Sequence, residues 1–165
     1  MREQMQSLSW RDVARIRQRW RGPFLLKGLL NLEDLHRALD SGVDGVILGS
    51  HGGRQADWAI SALDLLPQAR AIVGDRFALM MSGGIRRGTD MLKALALGAD
   101  AVLAGRAPLY GLCAAGAAGA TRALELLLEE ALDQMGQLGA IDRADLTPRL
   151  LVSRQQGFRP PTTAG

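Results

Sequence analysis

The residues best suited to chemistry are a histidine and an arginine in one glycine-rich loop. The loop reads Gly49-Ser50-His51-Gly52-Gly53-Arg54-Gln55 and follows the apolar run Val46-Ile47-Leu48, which predicts a buried strand. Imidazole exchanges a proton near neutral pH, and guanidinium holds a carboxylate through two parallel hydrogen bonds. Because glycines keep bulk away from both side chains, the loop favours proton abstraction from a small anionic substrate. A glycine-rich turn with solvated side chains is the alternative.

Two further glycine-rich loops carry arginine, and each follows an apolar run. They read Gly83-Gly84-Ile85-Arg86-Arg87-Gly88-Thr89 and Gly105-Arg106-Ala107-Pro108. Glycine N–H groups and a following helix N-terminus can approach an anion, and Arg86 and Arg106 can add charge-assisted hydrogen bonds. The two loops therefore predict a site for a phosphate ester. Tight turns with solvent-facing arginines are the alternative.

Lys27 is a third positively charged residue at the end of an apolar run, after Phe24-Leu25-Leu26. Its ammonium group could lie beside a cofactor ring that becomes anionic on reduction, which it would stabilise. An ordinary solvated lysine is the alternative.

Four apolar runs alternate with helical patterns along the chain. The strands and helices that they predict must position the charged side chains described above. The predicted strands are residues 24–28, 45–48, 77–81 and 101–104, and the predicted helices between them are 32–39, 60–72 and 90–97. Continuous apolarity indicates a parallel sheet, either doubly wound or part of a (β/α)8 barrel. No Gly-x-Gly-x-x-Gly turn follows the first strand, which disfavours the doubly wound dinucleotide-binding fold. A barrel would instead bring the polar residues at the strand ends together on one face, where active sites lie. We predict half of a (β/α)8 barrel over residues 1–150, with a loose tail at 151–165.

The helical segments carry their own expectations. Pro67 is expected to end or kink its helix, and Thr89 to cap the next one. Residues 108–119 predict an interrupted helix, and residues 121–138 predict a long helix. One face of that long helix should carry four leucines: Leu124, Leu127, Leu128 and Leu132.

The amino-acid composition favours a globular protein and disfavours several other classes. The 165 residues, 47% hydrophobic and 22% charged, indicate one globular domain or a piece of a larger one. No apolar run approaches the roughly 18 residues that span a bilayer, and residues 1–6 lack the apolar core of a signal peptide, so we expect a cytoplasmic chain. One cysteine, Cys113, excludes an internal disulfide and a cysteine-cluster metal site. Solvated helix faces explain the clustered arginines better than a nucleic-acid surface does, because aromatic residues are few.

These motifs together resemble the FMN-dependent α-hydroxy-acid dehydrogenases and oxidases. The resemblance lies in Leu26-Lys27-Gly28, Ser50-His51-Gly52-Gly53-Arg54-Gln55, residues 83–90, residues 93–99 and Gly105-Arg106. The sequence of residues 58–61 and 107–112 is similar to that of the mandelate dehydrogenase branch. The family also includes glycolate oxidase and lactate oxidase. The matched motifs belong to the C-terminal half of the family's barrel.

The resemblance implies a role for each matched position. His51 resembles the base that takes a proton from the hydroxyl or the α-carbon of the substrate, and Arg54 resembles the residue that binds the substrate carboxylate. Lys27 resembles the lysine beside the flavin N1/O2 edge. The full set that the resemblance assigns to FMN is Lys27, Gly49, Ser82, Gly83, Gly84, Ile85, Arg86, Gly105 and Arg106. No metal is implied.

The chain departs from the family pattern in two residues and in extent. Gly49 stands where the family has serine, and Ser82 stands where it has aspartate. The first four strands of the family barrel have no counterpart here.

Two functions follow as hypotheses. One is part of an FMN enzyme that oxidises a mandelate-, lactate- or glycolate-like acid and needs the complementary N-terminal half-barrel. The other is a non-catalytic half-barrel that binds a phosphate compound or pairs with a second copy of itself.

Overall fold

The computed structural model describes residues 8–54 and 56–152; the tail predicted at 151–165 lies, from residue 153 onward, outside the described residues. In chain order the elements are α1 (Trp10–Arg19), β1 (Leu25–Leu29), α2 (Leu32–Asp40), β2 (Gly45–Leu48), α3 (Ala62–Val73), β3 (Ala78–Ser82), α4 (Gly88–Ala96), β4 (Ala101–Leu103) and α5 (Arg106–Leu138). Short 3₁₀ turns lie at His51–Gly53, Arg143–Asp145 and Pro148–Leu150.

The four strands form one parallel sheet in the order β1-β2-β3-β4. On one face, Leu79 and Met81 are buried against helices α2 and α3, in a core with Leu35 and Leu66. The alternate residues of β3 are only half-buried. Strands covered on both faces carry apolar residues at every position, so the half-buried face matches the interior of a barrel that these strands only partly enclose. The predicted half-barrel of four parallel strands is confirmed.

Two helix boundaries differ from those predicted. Helix α3 continues through Pro67 to Val73, because its inner face buries Leu65 and Leu66, and this offsets one lost backbone hydrogen bond. Helix α4 begins at Gly88, with Arg87 rather than Thr89 in the capping position.

Helix α5 reverses direction near its middle, in agreement with the predicted interruption. Ala115 (φ −150°) and Gly116 (φ 60°) leave the helical conformation. A Cβ on Gly111 would lie 2.2 Å from the carbonyl oxygen of Gly119, whereas eight residues of straight helix would separate them by about 12 Å. The two arms therefore cross in direct backbone contact.

By length and composition alone, α5 could span a membrane. The qualifying stretch of 18 residues has a hydropathy of 1.2, and 6% of it is buried. The prediction that no segment reaches this apolarity is therefore wrong for α5. A single such helix is weak evidence for a membrane span, and the reversal at Gly116 divides this one into two arms.

The leucines of the second arm of α5 do not share one environment. Leu127 is buried against α4, whereas Leu124, Leu128 and Leu132 are 44%, 54% and 66% exposed. The second arm is therefore apolar on two sides, and only one of them is covered by α4.

Aspartates fasten the sheet at the ends of the strands opposite the glycine-rich loops. Just before β4, Asp100 Oδ2 accepts hydrogen bonds from Arg70 Nη2 (2.8 Å) and Leu79 N (2.8 Å). Its Oδ1 accepts one from Arg143 Nη2 (3.0 Å). Asp44 repeats this arrangement before β2, where its Oδ2 accepts from Arg17 and from the backbone N–H of the residue before β1.

Replacing Asp100 by asparagine is expected to lower the free energy of unfolding at neutral pH by about 1–3 kcal/mol. Burial acts to raise the pKa of Asp100, but the bonds from Leu79, Arg70 and Arg143 outweigh it and hold that pKa below its ordinary 3.8. The lowered pKa gives stability that is full above the unfolded-state pKa and is lost as the pH falls through the folded-state pKa. Urea unfolding at several pH values should therefore show a shallower acid dependence in Asp100→Asn. The control is Asp75→Asn, an exposed carboxylate on the turn before β3; equal acid dependence in all three proteins would contradict the assignment.

Candidate functional site: a cationic cavity at the strand ends

One cavity of about 700 Å³ lies at the carboxyl ends of the strands. It is lined by Lys27, His51, Gly52, Arg54, Ser82, Gly83, Gly84, Ile85, Arg86, Leu103, Gly105, Arg106 and Leu109. Strand β1, through Lys27, and the connections after β2, β3 and β4 thus contribute to one site. Its volume is in the range of small-molecule and cofactor sites.

The His51 loop forms a short 3₁₀ turn directly after β2. His51 has φ 52°, and Gly52 and Gly53 have φ 73° and 72°. Left-handed backbone costs glycine little, and histidine tolerates it better than most residues do. The turn brings both His51 and Arg54 to the cavity, where both side chains are exposed. An imidazole and a guanidinium group therefore share one site.

Gly83 and Gly84 form a loop into which an anion could fit closely. They have φ 108° and 77°, and a Cβ at either position would meet no atom within 4 Å. Arg86 on the same loop and Arg106 at the start of α5 line the same cavity. Backbone amides and guanidinium groups are the donors that bind phosphate, so these residues fit a phosphate ester.

The N-terminus of α4 is already bound by carboxylates, contrary to the expectation that it would help to bind the anion. The backbone N–H groups of Arg86 and Arg87 each donate to Asp90 Oδ2 at 3.0 Å. The N–H of Gly88 donates to Glu130 Oε2 at 2.8 Å. In the loop between β3 and α4, the glycine N–H groups and the Arg86 side chain therefore remain available to an anion.

The two adjacent arginines of this loop have different roles. Arg86 faces the cavity, whereas Arg87 forms an ion pair with Glu130 on α5. The hydrogen bonds from Arg87 and from the Gly88 N–H lower the pKa of Glu130 below its ordinary value. Arg87 and Glu130 thus fix the loop between β3 and α4 against α5.

All the side chains predicted to act together line the cavity, namely Lys27, His51, Arg54, Arg86 and Arg106. Of the remaining positions assigned by resemblance, only Gly49 is absent from the lining. Gly49 is buried at the end of β2, beside Ser82 of the neighbouring strand. A Cβ on Gly49 would lie 3.0 Å from the Ser82 carbonyl oxygen. Three lining residues were not among the predicted site residues: Gly52, which belongs to the His51 loop, and Leu103 and Leu109. Leu103 is the last residue of β4, and Leu109 lies one helical turn after Arg106. Their distance along the sequence from the Gly105-Arg106 loop was the signal that could have identified both as lining residues.

The fold and the cavity are those of part of a (β/α)8 barrel whose strand ends carry a histidine, a lysine and three arginines around one cavity. The sequence profile of the FMN-dependent dehydrogenases matches residues 1–153. The chain belongs to this family.

Individual relatives agree with the family and show how much of it this chain spans. An FMN-dependent alpha-hydroxy acid dehydrogenase, qulF of Penicillium citrinum, is 44% identical over 137 residues, which are 83% of this chain and 34% of that protein. L-lactate dehydrogenase of Caulobacter vibrioides is 43% identical over 148 residues, 90% of this chain and 39% of that protein. The structure of a soluble mutant of the membrane-associated (S)-mandelate dehydrogenase from Pseudomonas putida superimposes with a TM-score of 0.83 at 45% identity. That match covers 87% of this chain and 40% of that one, so the chain spans about two-fifths of these relatives.

Proposed function

We propose that this chain is the flavin-binding portion of an enzyme that oxidises a small α-hydroxy acid to the α-keto acid. The observation that carries the proposal is the meeting of His51, Arg54, Lys27 and the two arginines of the phosphate loops in one cavity. The names of the relatives above, which include lactate and mandelate dehydrogenases, support the substrate class.

Each side chain has a defined part in this reaction. Arg54 binds the substrate carboxylate through paired hydrogen bonds and thereby orients the α-carbon. His51, as neutral imidazole, takes one proton from the hydroxyl or the α-carbon. Bound FMN would accept the two electrons and the second hydrogen that the substrate loses. Lys27 supplies a positive charge beside the ring, and Arg86 and Arg106 hold the phosphate.

The same chain leaves surfaces that a second half-barrel would cover. Within the described residues, β1 and β4 each pair along one edge only. The exposed stripe Leu124, Leu128 and Leu132 lies on α5, the helix that follows β4. Unpaired strand edges and apolar stripes favour association. We propose the complementary N-terminal half-barrel as the partner, because this chain matches only about two-fifths of the length of its relatives; pairing with a second copy is the alternative. The cytoplasmic location stays a prediction.

The flavin spectrum tests the proposed function. The chain is joined to the portion of (S)-mandelate dehydrogenase that it does not match, purified with FMN, and mixed anaerobically with mandelate or lactate. A yellow protein that is bleached by one of these acids is expected. As a control, 1-phenylethane-1,2-diol lacks the carboxylate that Arg54 would bind, and it should bleach the protein far more slowly. A colourless protein that stays inert with added FMN would instead indicate a non-catalytic half-barrel.

A further inference from the structure

Gly28 occupies an irregular position in β1, directly beneath the imidazole of His51. The pairing between β1 and β2 shifts at this point: Lys27 faces Ile47 and Leu29 faces Leu48, so Gly28 has no partner in the register. Its φ of 103° is open to glycine and strained for other residues. Such bulges often lie beside functional sites, where they redirect side chains.

The imidazole of His51 lies where a side chain on Gly28 would be. A Cβ built on Gly28 would be 2.4 Å from Cε1 of His51, 3.2 Å from Nε2 and 3.3 Å from Nδ1. The nearest of these separations is far inside contact distance, so the ring and a methyl group cannot share this space. No other glycine among the described residues has the His51 ring as its nearest neighbour.

We infer that Gly28 is a positioning residue for His51: its missing side chain creates the recess in which the imidazole rests at the cavity rim. The catalytic meaning of this recess rests on the role proposed for His51 above. The recess itself depends only on the contact between β1 and the loop after β2. It explains why a glycine directly follows Lys27 without assigning Gly28 any contact with a ligand.

Backbone conformation is the competing explanation for this glycine. An alanine at φ 103° would be strained whether or not a ring lay nearby. Gly42 separates the two effects, because its φ is 72° and a Cβ on it would meet nothing within 4 Å. Gly42→Ala therefore adds left-handed strain with no effect on the imidazole.

The experiment is NMR of the full chain without ligand, combined with urea unfolding. The chain contains two histidines, and His36, exposed on α2, is an internal reference. In the unmodified chain we expect a nuclear Overhauser contact between Hε1 of His51 and the Hα protons of Gly28. In Gly28→Ala this contact should be lost and the His51 ring resonances should shift, whereas those of His36 should not. Gly42→Ala should leave both histidines unchanged.

Unfolding of Gly28→Ala, His51→Ala and the double variant completes the test. Backbone strain contributes equally in both backgrounds, so the loss of stability from Gly28→Ala should be smaller when His51 is alanine. If Gly28→Ala does not fold, restored folding in the double variant supports the recess. An absent contact in the unmodified chain, unchanged ring resonances in a folded Gly28→Ala, additive stability losses, or a double variant that also fails to fold would each overturn it. None of these readouts uses flavin or substrate, so failure of the proposed function would leave them interpretable.

Discussion

Replacing His51 by asparagine in the completed barrel is expected to slow flavin reduction by an α-hydroxy acid about 10²–10⁴-fold, the usual contribution of a general base. The completed barrel is this chain joined to the portion of (S)-mandelate dehydrogenase that it does not match. Asparagine keeps a polar side chain but cannot take up the proton at neutral pH. It is also among the residues that best tolerate left-handed backbone, so the turn at φ 52° should persist. The loss should therefore reflect chemistry and not misfolding.

Anaerobic stopped-flow measurement of flavin bleaching gives this rate directly. FMN affinity should stay unchanged in His51→Asn, because the two loops proposed to bind its phosphate, residues 83–89 and 105–108, are intact. His36→Asn is the matched control, since His36 is exposed on α2. A His51→Asn rate within about tenfold of the original, well short of the effect of losing a general base, would remove His51 from the reaction.

Replacing Arg86 or Arg106 by alanine is expected to weaken FMN binding about 10–150-fold each, since a hydrogen bond to a charged group contributes about 1.5–3 kcal/mol. Riboflavin carries the same ring without the phosphate, so its affinity should barely change. The ratio of the two affinities therefore isolates the phosphate contact from general damage to the cavity.

Quenching of flavin fluorescence in the completed barrel measures both affinities. Arg76→Ala is a suitable control, because Arg76 is exposed on the turn that enters β3, at the end of that strand away from the cavity. Equal losses of FMN and riboflavin affinity in Arg106→Ala would mean that this arginine shapes the cavity without binding the phosphate.

The gathering of the charged side chains could be predicted from sequence because it follows from strand direction. Lys27, His51, Arg86 and Arg106 each come at or just after the end of an apolar run. Parallel strands present their carboxyl ends at the same edge, so the order of residues along each strand fixed their common location. The common location of these side chains could therefore be predicted from the strands alone, without knowing how the helices pack.

The details that sequence reasoning missed depend on contacts between distant residues. The first backbone N–H of α4, that of Gly88, is bound by Glu130, which lies 42 residues further along the chain. Leu127 and Leu128 read alike in sequence, but only packing against α4 shows which of them is buried. The recess at Gly28 depends on a histidine from the loop after the neighbouring strand. Propensity and periodicity carry no information about such pairs.

The location of bound FMN tests the central claim most directly. Both phosphate loops belong to this chain, so amide resonances of the ¹⁵N-labelled chain can be followed as FMN is added. The account predicts saturable shifts at Gly83, Gly84 and Gly105, and much smaller shifts at these amides with riboflavin. Shifts concentrated around Asp44 and Asp100 at the opposite strand ends, or no saturable shifts at all, would contradict it.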